Sequence, residues 1–237
     1  MRMAGYRSIL RRLGVELRRF PQRDYELTLK TLIDQRGIEL VVDVGANTGQ
    51  FGQSLRAVDH LGDIVSFEPM HVAFAELERN SGDDARWQVR KLALGGTAGE
   101  LEINIAANSY SSSLLPMEQA HVDAAPESAI VGTETVHVST LDREFAGETR
   151  KSLLKMDTQG YEGEVLDGVG GFLHRIDVIA VEMSLVELYS GQPLFPEMFE
   201  RIVNMGFEPW WIEPEFINSV TRRMLAVNGV FVRTGSS

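Results

Sequence analysis

The sequence predicts an α/β fold, a doubly wound and mostly parallel sheet that closes on an antiparallel strand behind an N-terminal helical extension. Three observations carry that expectation. An apolar run, Leu40 to Val44, meets a turn punctuated by Gly45 and Gly49 and then a helical pattern over Gln50 to Val58. A second apolar run, Asp63 to Phe67, ends on Glu68 and Pro69. Short apolar runs and helix-period segments then alternate until two strands follow one another at the end of the chain, the order of a sheet with helices on both faces.

The first unit is a strand, a glycine turn and a helix. Gly45 and Gly49 lack a Cβ, so the backbone bends sharply there and a ligand can come close. The free N–H groups at the start of the next helix point back at that ligand. Glu68 ends the second strand roughly 20 residues beyond the turn, where an acid accepts hydrogen bonds from ribose hydroxyls. The turn reads Asp43-x-Gly45-x-x-x-Gly49 rather than the three-glycine dinucleotide fingerprint. An acid inside it suits a ligand that brings positive charge to that point. S-adenosylmethionine does so through its ammonium and sulfonium groups.

Composition sets outer bounds. The 237 residues are 43% hydrophobic and 24% charged, enough for one domain with a full core. There is no cysteine, which excludes disulfides, thiolate nucleophiles and thiolate metal sites. No run is long and apolar enough to span a bilayer, and no signal-peptide stretch is evident, so a cytoplasmic protein without stable membrane insertion is expected. Net charge is −11, yet residues 1–30 carry eight basic against three acidic side chains. The remainder is strongly acidic, which argues against nucleic acid as a partner.

In chain order, residues 4–20 form an amphipathic pattern with Ile9, Leu10, Leu13, Leu17 and Phe20 on one stripe. It is expected to pack on the body or on a second subunit, giving a possible homodimer, with attachment to a membrane surface as the alternative. A second helix covers about 24–36, and the division falls at 1–37 for the extension and 38–237 for the domain. A helix follows over 71–80, a third strand over Trp87 to Leu94, and an alternating strand over Leu101 to Ala106. Asn108 to Leu114 is a polar segment, either a surface loop or an active-site loop. Residues 116–134 show no clear period and are taken as a lid or insertion. Strands are expected over Thr135 to Leu141, Leu153 to Asp157 and Val178 to Met183. A helix is expected from Tyr161 to about Leu173 and another over Phe195 to Met205. Phe207 to Ile212 and Leu225 to Arg233 are the closing strands.

Val42-Asp43-Val44-Gly45-Ala46-Asn47-Thr48-Gly49 and Phe67-Glu68-Pro69 resemble the FkbM-type S-adenosylmethionine-dependent methyltransferases. The resemblance runs from about Val41 to Arg233 and implies a class I methyltransferase, Rossmann-like sheet. It implies cofactor contacts from Asp43, Gly45, Ala46, Asn47, Gly49, Glu68 and Pro69, and from Ala93 and Leu94 near the adenine. The Asn108…Ser112-Ser113-Leu114 segment and Thr140-Leu141-Asp142 are similar to family segments. Gln159 departs from the Glu usual in Lys-x-Asp-x-Glu-Gly, and Asn228 from a common Asp.

Methyl transfer from a sulfonium is an in-line displacement, in which the protein aligns a nucleophile and takes its proton. A base is worth typically about 10²–10⁴-fold. Ligands in such sheets bind beyond the carboxyl ends of the strands, so Asp43, Glu68, Asp157 and Glu182 are the candidates there. Asp157, which also borders the cofactor, and Glu182 are expected to act as base and orienter, or to hold one Mg²⁺ through oxygen ligands. His137 is the competing base, ahead of His121 and His174. Of Trp210 and Trp211, one is expected to face inward, and the other offers a sugar-stacking face. The expected activity is O-methylation of a sugar or glycoside hydroxyl, the acceptor being a small molecule or oligosaccharide. A nicotinamide-dependent oxidoreductase and a non-catalytic cofactor-binding scaffold are the alternatives.

Overall fold

The computed structural model describes residues 24–235. The segment expected over residues 4–20 lies outside them. Helix α1 (Asp24–Arg36) leads into β1 (Leu40–Val44), α2 (Gln50–Ala57), β2 (Asp63–Phe67), α3 (His71–Ser81) and β3 (Trp87–Arg90). Strands β4 (Ala93–Leu94) and β5 (Gly99–Ala106) follow, then α4 (Gln119–Ala124) and β6 (Ile130–Ser139). The second half runs α5 (Leu141–Glu144), β7 (Ser152–Met156), α6 (Glu162–Asp167), β8 (Ile176–Ser184), α7 (Phe195–Asn204), β9 (Phe207–Pro214) and β10 (Ala226–Arg233).

Seven strands form one sheet in the order β3-β2-β1-β7-β8-β10-β9. β1 pairs in parallel with both β2 and β7, and β10 is antiparallel to β8 and β9. This is the class I methyltransferase arrangement of a doubly wound sheet. The order reverses between β1 and β7, and there the crevice beyond the carboxyl ends opens. Both faces of the central strands are covered, so they read as mostly apolar runs, interrupted in β1 by Asp43 and in β7 by Lys155. Leu40, Val42 and Val44 of β1 enter one core cluster with Leu154, Met156, Ile179 and Val181. Val41 enters the opposite cluster with Leu153, Val178 and Ala180, and there α1 adds Leu29, Leu32 and Ile33. Each such fully buried side chain contributes roughly 1.5–3 kcal/mol.

Four expectations are corrected. The strand expected over 87–94 breaks after Arg90. Leu92 folds its N–H onto the Arg90 carbonyl, and β4 leaves for a second, three-stranded sheet in the order β4-β6-β5. The helix expected to reach Leu173 stops at Asp167. A Cβ at Gly168 would sit 2.1 Å from the Gly95 carbonyl oxygen, and Gly170 has φ +45°, so the chain finishes in a 3-10 turn over Gly170–Arg175. Residues 116–134 hold α4 and the start of β6, secondary structure too short for its period to show in the sequence. Trp210 and Trp211 are both exposed, because a register shift of β9 against β10 breaks the alternation that would have turned one inward.

Candidate active site

A cavity of about 1010 Å³ opens beyond the carboxyl ends of β1, β7 and β8, at the top of the usual range for ligand sites. The turn after β1 forms its floor. Gly45 has φ +75°, and a Cβ there would lie 1.9 Å from the Asp157 carbonyl oxygen, so only glycine allows the two strand ends to meet. Gly45 and Ala46 both donate their N–H groups to the Phe67 carbonyl, which ties this turn to the end of β2. Asn47 follows with φ +48°, a conformation open to asparagine at small cost.

Glu68 is 3% exposed. Its Oε2 accepts from the Asn47 N–H and its Oε1 from the Met70 N–H, both at 2.9 Å. Each oxygen keeps a second lone pair for a ligand. Burial pushes this carboxyl up to about 7 against those two donors, and the Asp43 charge adds to the rise. Ala46, Asn47, Pro69, Ala93 and Leu94 line the same cavity wall. These residues fit S-adenosylmethionine: an acid with free acceptor capacity, a glycine turn that admits close backbone approach, and an apolar wall from β4.

Two residues expected against the cofactor stand outside the wall. Asp43 is fully buried. Its Oδ1 lies 3.0 Å from the Lys155 ammonium and its Oδ2 accepts from the Ser66 hydroxyl. The acid in the turn therefore answers a lysine of β7 rather than a ligand. Gly49 has φ +93°, and a Cβ there would press on Leu77 at 2.9 Å. It serves the turn and the packing of α2. His137 is excluded as a base: strand alternation turns it outward on β6, where it is 76% exposed and pairs with Glu100 at 3.2 Å.

Lys155 is the residue that sequence reasoning passed over. It lines the cavity, donates to the Gly45 carbonyl at 3.2 Å, and lies 3.7 Å from Asp157. Burial alone would lower its ammonium, but Asp43, Asp157 and the more distant Glu182 outweigh that and hold it above its ordinary value. A lysine inside an apolar strand was the available signal, since an unpaired ammonium there is costly.

Asp157 and Glu182 do come together. The Gln159 Nε2 donates to Asp157 Oδ1 at 2.9 Å and to Glu182 Oε2 at 3.1 Å. Burial, then the Asp157 charge, push the Glu182 carboxyl well above the usual carboxylate range. Nothing in this arrangement supports the expected Mg²⁺ ion. The amide gives one N–H to each carboxylate, and among the described residues no group of three His, Cys, Asp or Glu side chains is placed to hold a metal.

The polar segment after β5 lies along the cavity wall. Asn108, Ser109, Tyr110, Ser111 and Ser112 line the cavity, and the Ser109 hydroxyl donates to Asn47 Oδ1 at 3.2 Å. α4 adds His121, 4% exposed, with its ring between Tyr189 and Phe216 and its Nε2 3.1 Å from the Ser111 hydroxyl. Burial lowers the pKa of this imidazole. His174 lies exposed in the 3-10 turn after α6, away from the cavity.

The sheet order, with a crevice at its reversal, is that of an α/β methyltransferase fold. The chain matches the methyltransferase FkbM domain over residues 43–209, and it belongs to the FkbM methyltransferase family. The methyltransferase sdnD of Sordaria araneosa is 31% identical over 193 residues, covering 71% of this chain and 73% of that protein. Among solved structures, the glycopeptide N-methyltransferase MtfA complexed with sinefungin is similar at a TM-score of 0.47 and 8% identity, over 99% of each chain. TehB from Haemophilus influenzae is similar at 0.49 and 7% identity, over 87% of this chain and 62% of that one. Likenesses this distant add nothing to the sheet order described above.

Proposed function

We propose that this chain is an S-adenosylmethionine-dependent O-methyltransferase whose acceptor is a sugar or glycoside hydroxyl. One observation carries the reading: a pair of carboxylates, Asp157 and Glu182, bridged at the carboxyl edge of the sheet inside a cavity large enough for two ligands. The cofactor, when bound, supplies the electrophilic methyl group. Glu68 and the Gly45 turn would hold its nucleoside, and Ala93 and Leu94 its base. Asp157 or Glu182 takes the proton of the acceptor hydroxyl. Lys155, between Asp43 and Asp157, balances the negative charge of the pair.

The remaining wall favours a polyol. Glu213, Glu215 and Asn228 face the cavity, and Asn228 Nδ2 donates to Glu215 Oε2 at 2.5 Å. Carboxylates accept hydrogen bonds from adjacent hydroxyls, as sugar rings present them. The test is a mass-shift screen in which S-adenosylmethionine is incubated with a panel of glycosides and with non-sugar alcohols and amines. Glycosides that gain one methyl group support the reading. Products confined to amines or non-sugar alcohols overturn the acceptor class. Calorimetric titration with S-adenosylhomocysteine and with NAD separates the oxidoreductase alternative: only the first is expected to bind.

A further inference from the structure

Gln159 lies in the β7–α6 turn in a conformation that few side-chain-bearing residues adopt, with φ +55°. Every polar group it owns near the cavity is engaged. Its Nε2 meets Asp157 and Glu182, its Oε1 accepts from the Tyr189 hydroxyl at 2.8 Å, and its backbone carbonyl accepts from the Ser113 hydroxyl at 2.7 Å. The partners fix the amide's orientation. Two carboxylates are acceptors and require the NH₂ end, while the hydroxyl donates to the oxygen. The Tyr189 hydroxyl also reaches the Ser111 carbonyl at 3.0 Å, so the segment after β5, Tyr189 and the amide are joined.

Two carboxylates that face one another repel, and the usual remedies are a shared proton or a hard cation bonded to both. Here the amide supplies one N–H to each. The other charged groups facing the pair are already engaged or sit further along the wall. Lys155 is held by Asp43. Glu162 accepts from the Thr158 N–H and hydroxyl and from the Gly160 N–H. Glu215 accepts from Asn228. The Gln159 nitrogen thus bonds one oxygen of each carboxyl, and the two carboxyls also lie within reach of one another.

We propose that Gln159 is a positioning residue that replaces a divalent cation between Asp157 and Glu182, so that the proton-accepting pair is assembled without metal. This inference rests on the methyltransferase reading of the cavity and goes one step into its machinery. A third carboxylate in place of the amide would create the oxygen-rich set that hard cations take, since affinity follows the number of charged ligands.

The experiment is Mn²⁺ binding, read by electron paramagnetic resonance and calorimetry, in the full-length wild type and in Gln159→Glu, Gln159→Ala and Gln159→Glu with Asp157→Asn. Wild type is expected to leave the free Mn²⁺ signal unchanged at millimolar ion. Gln159→Glu is expected to bind at least about tenfold tighter, and the added Asp157→Asn to remove that gain. Gln159→Ala opens the same space without adding charge and is expected to bind better than wild type but less well than Gln159→Glu, which keeps the test decisive if the acidic variant does not fold. Mn²⁺ binding by the wild type at these concentrations would overturn the proposal, as would variants that bind no better than wild type. S-adenosylhomocysteine affinity, measured alongside, reports separately on the cofactor site: its absence in the wild type would count against the function and not against the role of Gln159.

Discussion

Glu68 is buried and organises two backbone donors, and the proposed cofactor role requires it to be ionised to receive a ribose. Glu68→Ala removes charge-assisted hydrogen bonds worth roughly 1.5–3 kcal/mol. Calorimetry with S-adenosylhomocysteine should show an affinity loss of at least about tenfold with the fold retained; an unchanged affinity would remove Glu68 from the site. Its pH behaviour has two signs. The folded carboxyl titrates at about 7 against an ordinary 4.5, so its contribution to stability is present below 4.5 and is lost as pH rises through about 7. Ligand binding runs the other way, because the ionised form is the better acceptor. From pH 6 to pH 8 the wild type should bind S-adenosylhomocysteine up to about tenfold more tightly, while Glu68→Gln stays flat. A wild-type profile as flat as the variant's would refute that coupling. Asp43 behaves differently. Its carboxylate neutralises a buried lysine, so Asp43→Asn should cost about 3–5 kcal/mol of stability in denaturant unfolding. A variant of wild-type stability that has merely lost cofactor affinity would restore the ligand role.

The two turns that follow β1 and β7 form one element of the site, since Gly45 packs directly on the Asp157 carbonyl. Gly45→Ala meets a steric clash there and a φ of +75°, and a left-handed conformation alone costs a residue with a Cβ about 1–2 kcal/mol. Thermal unfolding should register a loss of at least about 2 kcal/mol. An unperturbed melting temperature would mean that the strand ends can separate freely. The β1 turn was legible because glycine punctuation after an apolar run is local information. Glu162 as the clasp of the β7 turn was not legible: it accepts from Thr158 and Gly160, bonds that exist only once the chain has turned. The same holds for Asp43. The sequence shows an acid in a glycine turn, and only the parallel pairing of β1 with β7, Asp43 beside Lys155, reveals its partner. His137 failed as a base for a simpler reason, since strand period 2 put Val136 and Val138 inside and the histidine out.

Across the whole molecule, the alternation of apolar runs and helical segments was enough to specify a doubly wound sheet, and an antiparallel closing strand was legible from two successive strand patterns. Invisible at that level was the second sheet, because β4 has two residues and pairs with β6 some 45 positions away. The charge asymmetry is a property of the same scale. Deleting residues 1–20 removes the stripe of Ile9, Leu10, Leu13, Leu17 and Phe20. It should lower the melting temperature or change the mass in solution, as read by calorimetry and light scattering. Loss of binding to anionic vesicles with stability and mass unchanged would favour a membrane role instead. The central claim is that this cavity holds S-adenosylmethionine and that Asp157 serves the proton transfer. The most direct measurement compares wild type with Asp157→Asn, following methylated glycoside by mass spectrometry and S-adenosylhomocysteine affinity by calorimetry, with and without EDTA. The account predicts a fall in kcat of about 10²-fold or more in the variant, cofactor affinity changed far less, and no effect of EDTA on the wild type. Near-normal turnover by Asp157→Asn, or wild-type activity abolished by EDTA and restored by Mg²⁺, would contradict it.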